Sequence, residues 1–132
     1  MTKFTELGLN QTILKAIADA GFEEARPIQQ ETIPLILEGR DIIGQALTGS
    51  GKTAAFILPA LQKLKYEKRV EVLVLVPTRE LASQVQKEFS ILAKHSKAEC
   101  ACVVGGVHPS RQIELVNKGA QVVVATPGRL LD

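Results

Sequence analysis

Two kinds of apolar pattern alternate along the chain. Short runs rich in β-branched residues are typical of buried strands, and longer segments with an apolar residue every third or fourth position are typical of helices. The first pattern predicts strands at about Asp41–Ala46, Val70–Val76, Cys100–Val104 and Val122–Ala125. The second predicts helices over Asn10–Ala20, from Pro27 to a stop at Gly39, from Gly51 to about Leu64, from within Pro77–Glu80 to about His95, and over Pro109–Lys118.

The order of these elements indicates the fold class. Strands that alternate with helices form right-handed βαβ units, so we expect an α/β fold with an open, mostly parallel sheet and helices on both faces. The nearly continuous apolar run Val70–Val76 is typical of a strand covered on both faces. In the helix over Pro109–Lys118, Ile113 and Val116 are expected to point inward.

The segment Ala46–Thr53 reads Ala-Leu-Thr-Gly-Ser-Gly-Lys-Thr and joins a predicted strand to a predicted helix. Glycines at this place let the backbone curl around a phosphate group, and the start of the helix adds N–H donors. Lys52 would then reach the β- and γ-phosphates, and the Thr53 hydroxyl would hold Mg²⁺. The plain alternative is a glycine-containing turn in which Lys52 is only a surface charge. Ala46 also stands where the usual pattern begins with Gly.

Three other segments follow predicted strands and share one chemistry. They carry hydroxyls, glycine N–H groups, guanidiniums and helix starts, which are donors for phosphate and sugar oxygens. In an open parallel sheet, ligands bind beyond the carboxyl ends of the strands. The segments are Pro77–Glu80, Gly105–Gly106 and Thr126–Arg129.

Bulk properties exclude some classes and leave others open. The 132 residues suffice for one domain, and no apolar run reaches the length of a membrane span. The net charge of +2 neither requires nor excludes a nucleic-acid partner. We expect a cytoplasmic protein, because the N-terminal residues carry no secretory signal and Cys100 and Cys102 are best explained as inert thiols of a strand.

These motifs together resemble the first RecA-like domain of a DEAD-box RNA helicase, over essentially the whole chain. The resemblance implies a RecA-like P-loop fold, with a Q-motif region over residues 1–39 and part of a P-loop core over residues 40–132. Ala46–Thr53 is similar to motif I of the family, where Ala is normal at the first position. The other matching elements are Pro27-Ile28-Gln29 of the Q motif, Pro77-Thr78-Arg79-Glu80-Leu81-Ala82 of motif Ia, the Gly105-Gly106 pair, and Thr126-Pro127-Gly128-Arg129 of motif Ib.

The resemblance implies ATP and Mg²⁺ as cofactors. Gln29 would read adenine, Phe22 would stack on the base, and Phe4 would support that pocket. The family usually has Pro and then Ser or Thr where this chain has Ala25 and Arg26, which leaves the rigidity of this turn in question. Lys52 and Thr53 would be the catalytic residues, with Thr53 at the metal. The implied nucleotide site comprises Phe4, Phe22, Arg26, Gln29, Ala46, Thr48, Gly49, Ser50, Gly51, Lys52 and Thr53.

The resemblance also implies RNA as a partner, bound through its backbone and with little sequence preference. The implied RNA-binding residues are Pro77, Thr78, Arg79, Gly105, Gly106, Thr126, Pro127, Gly128 and Arg129. The Asp-Glu-Ala-Asp element and the second RecA-like domain of the family do not occur in these residues, so we expect a helicase fragment that does not turn over ATP. Two alternatives stay open: another P-loop enzyme such as a small-molecule kinase, and an RNA-binding module that needs no nucleotide.

Overall fold

A computed structural model describes residues 2–106 and 108–131. The fold divides into two compact units, which are treated separately below. The first unit contains the residues up to Lys63 together with Ile91–Ser96, and the second contains Leu64–Ser90 together with the residues from Lys97 onward.

The first unit is helical. A 3₁₀ turn, Phe4–Glu6, precedes helices α1 (Gln11–Asp19), α2 (Pro27–Leu37) and α3 (Lys52–Lys63). The predicted start of α1 is confirmed, because the Asn10 side chain accepts a hydrogen bond from the Ile13 N–H, 3.0 Å away. Gly21 and Gly39 follow α1 and α2 with φ angles of +82° and +91°, as residues that end helices do.

The core of this unit lies where α2 packs against α3. Ile33 of α2 and Leu58 of α3 are fully buried. Both helices run through an internal proline, Pro34 and Pro59, without losing their helical assignment. The amphipathic stripes that predicted these helices are therefore the surfaces that hold the unit together.

The first predicted strand is wrong. Residues 41–47 have no regular secondary structure, and Ile43 is fully exposed. An apolar run forms a strand only when its N–H and C=O groups find a neighbouring strand. Among the described residues, the sheet consists of three other strands, and each pairing in that sheet is between those three. The phosphate-loop sequence is thus preceded by a segment without regular secondary structure and not by a strand.

The second unit contains the sheet. Its strands are β1 (Val72–Leu75), β2 (Cys100–Val103) and β3 (Val122–Ala125), all parallel, in the order β1-β3-β2. In the register, Leu75 and Val103 both pair with Ala125 at the carboxyl end. The predicted α/β fold with an open parallel sheet is confirmed, and the last strand lies at its centre with every residue buried.

The prediction that the Val70–Val76 run is covered on both faces is wrong for β1. This strand lies at an edge of the sheet, where Leu73 is 49% exposed and Leu75 is 54% exposed. The same pattern of branched residues describes the central strand β3, which is covered on both sides. Composition indicated a buried strand correctly for β3 and incorrectly for β1, because the position of a strand within the sheet decides its burial.

Three helices complete the second unit: α4 (Arg79–Leu92, whose last two residues belong to the first unit), α5 (Pro109–Asn117) and α6 (Pro127–Leu130). The predicted inward face of α5 is partly wrong. Val116 packs against the cluster of Ala101, Val123 and Ala125, but Ile113 is 59% exposed. The inward position one turn before Val116 is Gln112, which is only 3% exposed.

Candidate nucleotide site and nucleic-acid interface

The phosphate-loop sequence adopts a tight turn that runs directly into α3. The Ser50 N–H donates to the Leu47 carbonyl at 3.1 Å, and α3 begins at Lys52. Gly49 and Gly51 have φ angles of +81° and +89°, which residues with a Cβ adopt only with strain. The glycines therefore stand where the backbone conformation requires them.

Lys52 spans the loop. Its ammonium Nζ donates to the Ala46 carbonyl at 2.7 Å, so the first residue of α3 is hydrogen-bonded to the first residue of the motif. The side chain is exposed. A flexible, exposed ammonium on this loop is suited to bind a phosphate oxygen in place of the carbonyl.

Gln29 is buried and connects α2 to the loop. Its Oε1 accepts from the Arg26 N–H at 2.9 Å, and its Nε2 donates to the Gly51 carbonyl at 3.1 Å. The residue is 5% exposed, so its side chain is not a solvated surface group. Both ends of the amide instead organise the phosphate loop and the start of α2.

Arg26 is the N-cap residue of α2, where the related family usually has a hydroxyl, and its side chain makes no capping hydrogen bond. Its backbone N–H donates to the Gln29 Oε1 instead. Its guanidinium Nη1 donates to the Gly49 carbonyl at 2.9 Å. The start of α2 and the phosphate loop are therefore joined by two side chains, Arg26 and Gln29, through the carbonyls of Gly49 and Gly51.

The two aromatic residues of the predicted site differ in exposure. Phe22 is 49% exposed, as a ring that stacks on a ligand must be, whereas Phe4 is 5% exposed and belongs to the core of its unit. The roles of Phe22 as a stacking ring and of Phe4 as a supporting one stay predictions.

One unsatisfied atom of the loop fits a phosphate ligand. The Ser50 hydroxyl oxygen is the buried side-chain polar atom, among the described residues, for which no hydrogen-bond partner is found. Buried polar groups in proteins are nearly always paired, and an exception indicates strain or a missing ligand. Thr48 is exposed and Thr53 is half-buried on the first turn of α3, so their hydroxyls also lie on this loop. The residues present are thus compatible with a nucleotide phosphate chain.

A separate cavity of ≈ 340 Å³ lies in the same unit, between α2, the irregular segment 41–47 and α3. Lys52 contributes to its wall, but most of the lining is apolar, from Ile28, Ile36, Ile42, Ala55 and Phe56. A triphosphate must be surrounded by hydrogen-bond donors and cations, and this lining is mostly apolar. The cavity is therefore unsuited to a triphosphate.

The predicted RNA-binding residues lie in the second unit, in the turns that follow the three strands. Because the strands are parallel, these turns lie together at the end of the sheet where the carboxyl ends of the strands meet. The Thr78 hydroxyl accepts from the Leu81 N–H at 3.1 Å and caps α4. Pro77 and Arg79 are exposed beside it.

Arg79 connects two of these turns. Its Nη1 donates to the Gly105 carbonyl at 3.3 Å, so its contact in the described part of the chain is with the glycine pair and not with Glu80. Gly106 has a φ angle of +86°, and a Cβ at this position would collide with the Arg79 guanidinium. The backbone conformation therefore requires a glycine there, whereas the flexible Arg79 side chain could move away from a Cβ.

Arg129 connects the third turn to the same pair. Its Nε donates to the carbonyl of Val104, the residue before Gly105, at 3.1 Å. Thr126 and Pro127 begin α6, and Gly128 is exposed within it. Hydrogen bonds thus link Arg79 and Arg129 to the consecutive carbonyls of Gly105 and Val104, and the contact of these residues with RNA stays a prediction.

The sequence reasoning missed one member of this group. The Gln112 side-chain amide also donates to the Val104 carbonyl, at 2.8 Å. The available signal was a helical spacing of four from Val116, which places Gln112 on the inward face of α5. The prediction that Ile113 points inward rests on its apolar side chain, and apolar patterning gives no signal for a buried amide such as that of Gln112.

Sequence and structure comparisons identify the family. Residues 26–132 match the DEAD/DEAH box helicase family. The chain belongs to this family. Two curated relatives are the DEAD-box ATP-dependent RNA helicase RhpA of Helicobacter pylori strain B128, 50% identical over 98% of the chain, and the ATP-dependent RNA helicase CshA of Listeria monocytogenes, 52% identical over 100% of the chain. This DEAD/DEAH box chain spans 26% of the length of each.

Solved structures agree with this membership. A DEAD box protein from Methanococcus jannaschii matches all of the chain with a TM-score of 0.94 and 42% identity, and the match covers 36% of that protein. The RNA helicase Prp28 from Chaetomium thermophilum, solved with ADP, matches all of the chain with a TM-score of 0.89 and 40% identity, over 34% of its own length. The resemblance to DEAD-box helicases that the motifs indicated is confirmed.

The cysteines of this DEAD/DEAH box chain are free thiols. Burial, followed by the neighbouring Cys102, raises the pKa of Cys100 to about 12, and burial also raises the pKa of Cys102. Both are therefore protonated near neutral pH, as the prediction of inert strand cysteines requires. Within residues 2–106 and 108–131, no helix is long and apolar enough to span a membrane, and no cluster of three metal-binding side chains occurs.

Proposed function

We propose that the chain is the ATP-binding part of an ATP-dependent RNA helicase, in which ATP hydrolysis is coupled to RNA binding and local duplex separation. The observation that carries the proposal is the link from the Gln29 amide to the Gly51 carbonyl, because it joins the adenine-reading residue of the family to the phosphate loop. The curated relatives are named ATP-dependent RNA helicases, which supports the same reaction.

In this proposal each residue of the loop has a role toward ATP. Lys52 leaves the Ala46 carbonyl and binds the β- and γ-phosphates, and the Ser50 hydroxyl and the loop N–H groups bind phosphate oxygens. Thr53 would hold Mg²⁺, which would neutralise charge on the triphosphate, the group that contains the bond to be broken. Phe22 stacks on adenine, Phe4 supports the pocket, and Gln29 orients the base while Arg26 holds the loop.

RNA is proposed to bind at the turns of the second unit. Arg79 and Arg129 contact phosphates, and the N–H groups of the glycine pair and the hydroxyls of Thr78 and Thr126 contact backbone oxygens. Such contacts carry no sequence information, so binding is nonspecific in sequence and depends on salt. We further propose that a second RecA-like domain completes the hydrolytic site and that the protein works in the cytoplasm.

Nucleotide titration tests the proposal. In calorimetry with the full-length protein, ATP and ADP bind, GTP does not, and Lys52→Ala abolishes the ATP and ADP signals. Equal binding of GTP would show that Gln29 does not select adenine. A P-loop enzyme of another kind would bind nucleotide without binding RNA, and a nucleotide-independent RNA-binding module would bind RNA with Lys52→Ala unaffected in every assay.

The 132-residue chain itself provides a second test. We expect it to bind adenine nucleotide weakly and not to hydrolyse ATP, since phosphoryl transfer depends on charges positioned around the whole triphosphate. RNA-stimulated release of phosphate by these residues alone would contradict that expectation.

A further inference from the structure

Gln112 lies beneath the glycine pair and outside every motif by which the family was recognised. It is 3% exposed, and its Nε2 donates to the Val104 carbonyl at 2.8 Å. Arg129 donates to the same carbonyl at 3.1 Å. A carbonyl oxygen accepts two hydrogen bonds, so both of its acceptor positions are occupied and its direction is fixed from two sides.

Three consecutive backbone carbonyls, at the end of β2 and the start of the glycine pair, each accept hydrogen bonds. The Val103 carbonyl accepts from the Thr126 N–H at 3.1 Å, Val104 accepts from Gln112 and Arg129, and Gly105 accepts from Arg79 at 3.3 Å. Two glycines in succession have no side chains with which to fix themselves, so external bonds must determine where their N–H groups point.

The donors to Val104 and Gly105 differ in what they do when RNA arrives. Arg79 is exposed and Arg129 is half-buried, and both are proposed phosphate ligands. A guanidinium bonds more strongly to a phosphate than to a neutral carbonyl, so phosphate binding competes with their contacts to the turn. Gln112 is buried, and RNA does not compete for it. It alone among these three side chains holds the turn both with and without RNA.

We infer that Gln112 is a positioning residue for RNA binding: it fixes the Val104 carbonyl so that the Gly105 and Gly106 N–H groups meet the RNA backbone. This rests on the proposed function of the second unit. The inference extends the binding machinery into α5, an element that contributes no predicted RNA contact. The opposing possibility is that Gln112 only fills the core and that its loss lowers stability without a specific effect on RNA.

The chain offers a matched control. Gln121 is also a buried glutamine, 7% exposed, and its Oε1 accepts from the backbone N–H of Glu99 at 2.9 Å. It lies before β3, at the opposite end of the strands from the glycine pair. Gln112→Met and Gln121→Met each remove one buried bond between a side chain and the backbone while conserving volume, so a purely structural role predicts the same result for both.

The experiment measures binding of a fluorescent single-stranded RNA by the full-length protein and its two variants. We expect Gln112→Met to bind about five- to tenfold more weakly to every sequence, the loss of one positioning bond, and Gln121→Met to bind as wild type. Gln112→Asn, whose amide is one methylene too short to reach Val104, should behave like Gln112→Met. ADP binding should be unchanged in all three. Wild-type RNA affinity in both Gln112 variants, or equal weakening in Gln112→Met and Gln121→Met, would overturn the inference.

The amide resonances of Gly105 and Gly106 in ¹H–¹⁵N NMR spectra keep the inference testable apart from the proposed function. These resonances should shift in Gln112→Met relative to wild type and stay in place in Gln121→Met, because the Val104 carbonyl and the Gly105 N–H belong to one planar peptide group. If the wild-type protein fails to bind RNA, the proposed RNA site is wrong, and any contribution of Gln112 to RNA binding is wrong with it. If wild type binds RNA but the resonances of the glycine pair are unchanged in Gln112→Met, the positioning role alone fails.

Discussion

The side-chain amide of Gln29 and the carbonyl of Gly51 are hydrogen-bonded at 3.1 Å, so the start of α2 holds the last glycine of the phosphate loop. The same glycine has a φ angle of +89°, and a Cβ on it would collide with the Gln29 amide and lie 3.1 Å from the Arg26 Cδ. The position of Gly51 is thus restricted twice, by its own backbone and by its neighbours. Gly49, with a φ angle of +81°, is restricted by its backbone alone, because no atom lies within 4 Å of a Cβ placed there.

These two glycines give a matched pair of substitutions. Gly51→Ala should abolish ADP binding in calorimetry, because it combines a strained φ with displacement of Gln29 from the loop. Gly49→Ala should weaken ADP binding by about five- to thirtyfold, the effect of about 1–2 kcal/mol of backbone strain alone. Equal losses in the two variants would show that the contact with Gln29 does not matter to the loop.

Local signals explain most of what the sequence predicted correctly. Asn10 caps α1 through its own side chain, and Gly39 ends α2 with its own φ angle, so neither depends on distant residues. The segments around Arg79 and Arg129 were predicted to come together because parallel strands end at one edge. Contacts that follow from local chemistry or from strand direction can therefore be predicted without a structure.

Contacts that depend on distant partners were not predictable in this way. The segment 41–47 has the composition of a strand but finds no pairing partner among the described residues. Leu73 and Leu75 lie on one face of β1 and are about half exposed, and whether a face is covered depends on other elements, which the strand's own residues do not encode. The roles of Arg26 and Gln112 depend on backbone carbonyls 23 and 8 residues away, and composition carries no signal for them.

Arg129 should contribute to RNA affinity without contributing to sequence preference. In fluorescence titrations with the full-length protein, Arg129→Ala should weaken binding to all RNA sequences by about the same factor and should reduce the salt slope by about one. Arg69→Ala is the control, since Arg69 pairs with Glu67 ahead of β1, away from the carboxyl ends of the strands. A change in sequence preference in Arg129→Ala would contradict recognition of the RNA backbone.

Asp19 should make stability depend on acidic pH. The hydrogen bond from His95, followed by the charge of Lys94 3.5 Å away, lowers the pKa of Asp19 below its ordinary value of 3.8. A carboxyl whose pKa is lowered in the folded state stabilises that state above its unfolded pKa, and the contribution is lost as pH falls through the folded pKa. The melting temperature of wild type should therefore exceed that of Asp19→Asn at about pH 5 and converge with it as the pH falls through the lowered pKa of Asp19. A constant difference across this range would show that the ion pair does not contribute.

The thiol of Cys100 should be unreactive in the folded protein. Its pKa of about 12 leaves almost no thiolate near neutral pH, and the thiolate is the form that reacts. Iodoacetamide at about pH 8 should therefore alkylate Cys100 at least about tenfold more slowly in the native protein than in guanidinium chloride. Mass spectrometry of the digested protein measures the modification at Cys100 and Cys102 separately. Equal rates at Cys100 in the two states would contradict its burial.

Ile33 and Ile113 should respond differently to the same substitution. Ile33 lies in the contact between α2 and α3 and is fully buried, whereas Ile113 is 59% exposed on α5. Removing one methyl group from a packed core costs about 0.5–1.5 kcal/mol of unfolding free energy, and an exposed site stays within about 0.5 kcal/mol of wild type. Ile33→Val should therefore shift the midpoint of urea unfolding downward, and Ile113→Val should leave it nearly unchanged. If Ile113→Val destabilised the protein as much as Ile33→Val, then Ile113 would point inward as its pattern first suggested, and the burial of Gln112 in its place would be incorrect.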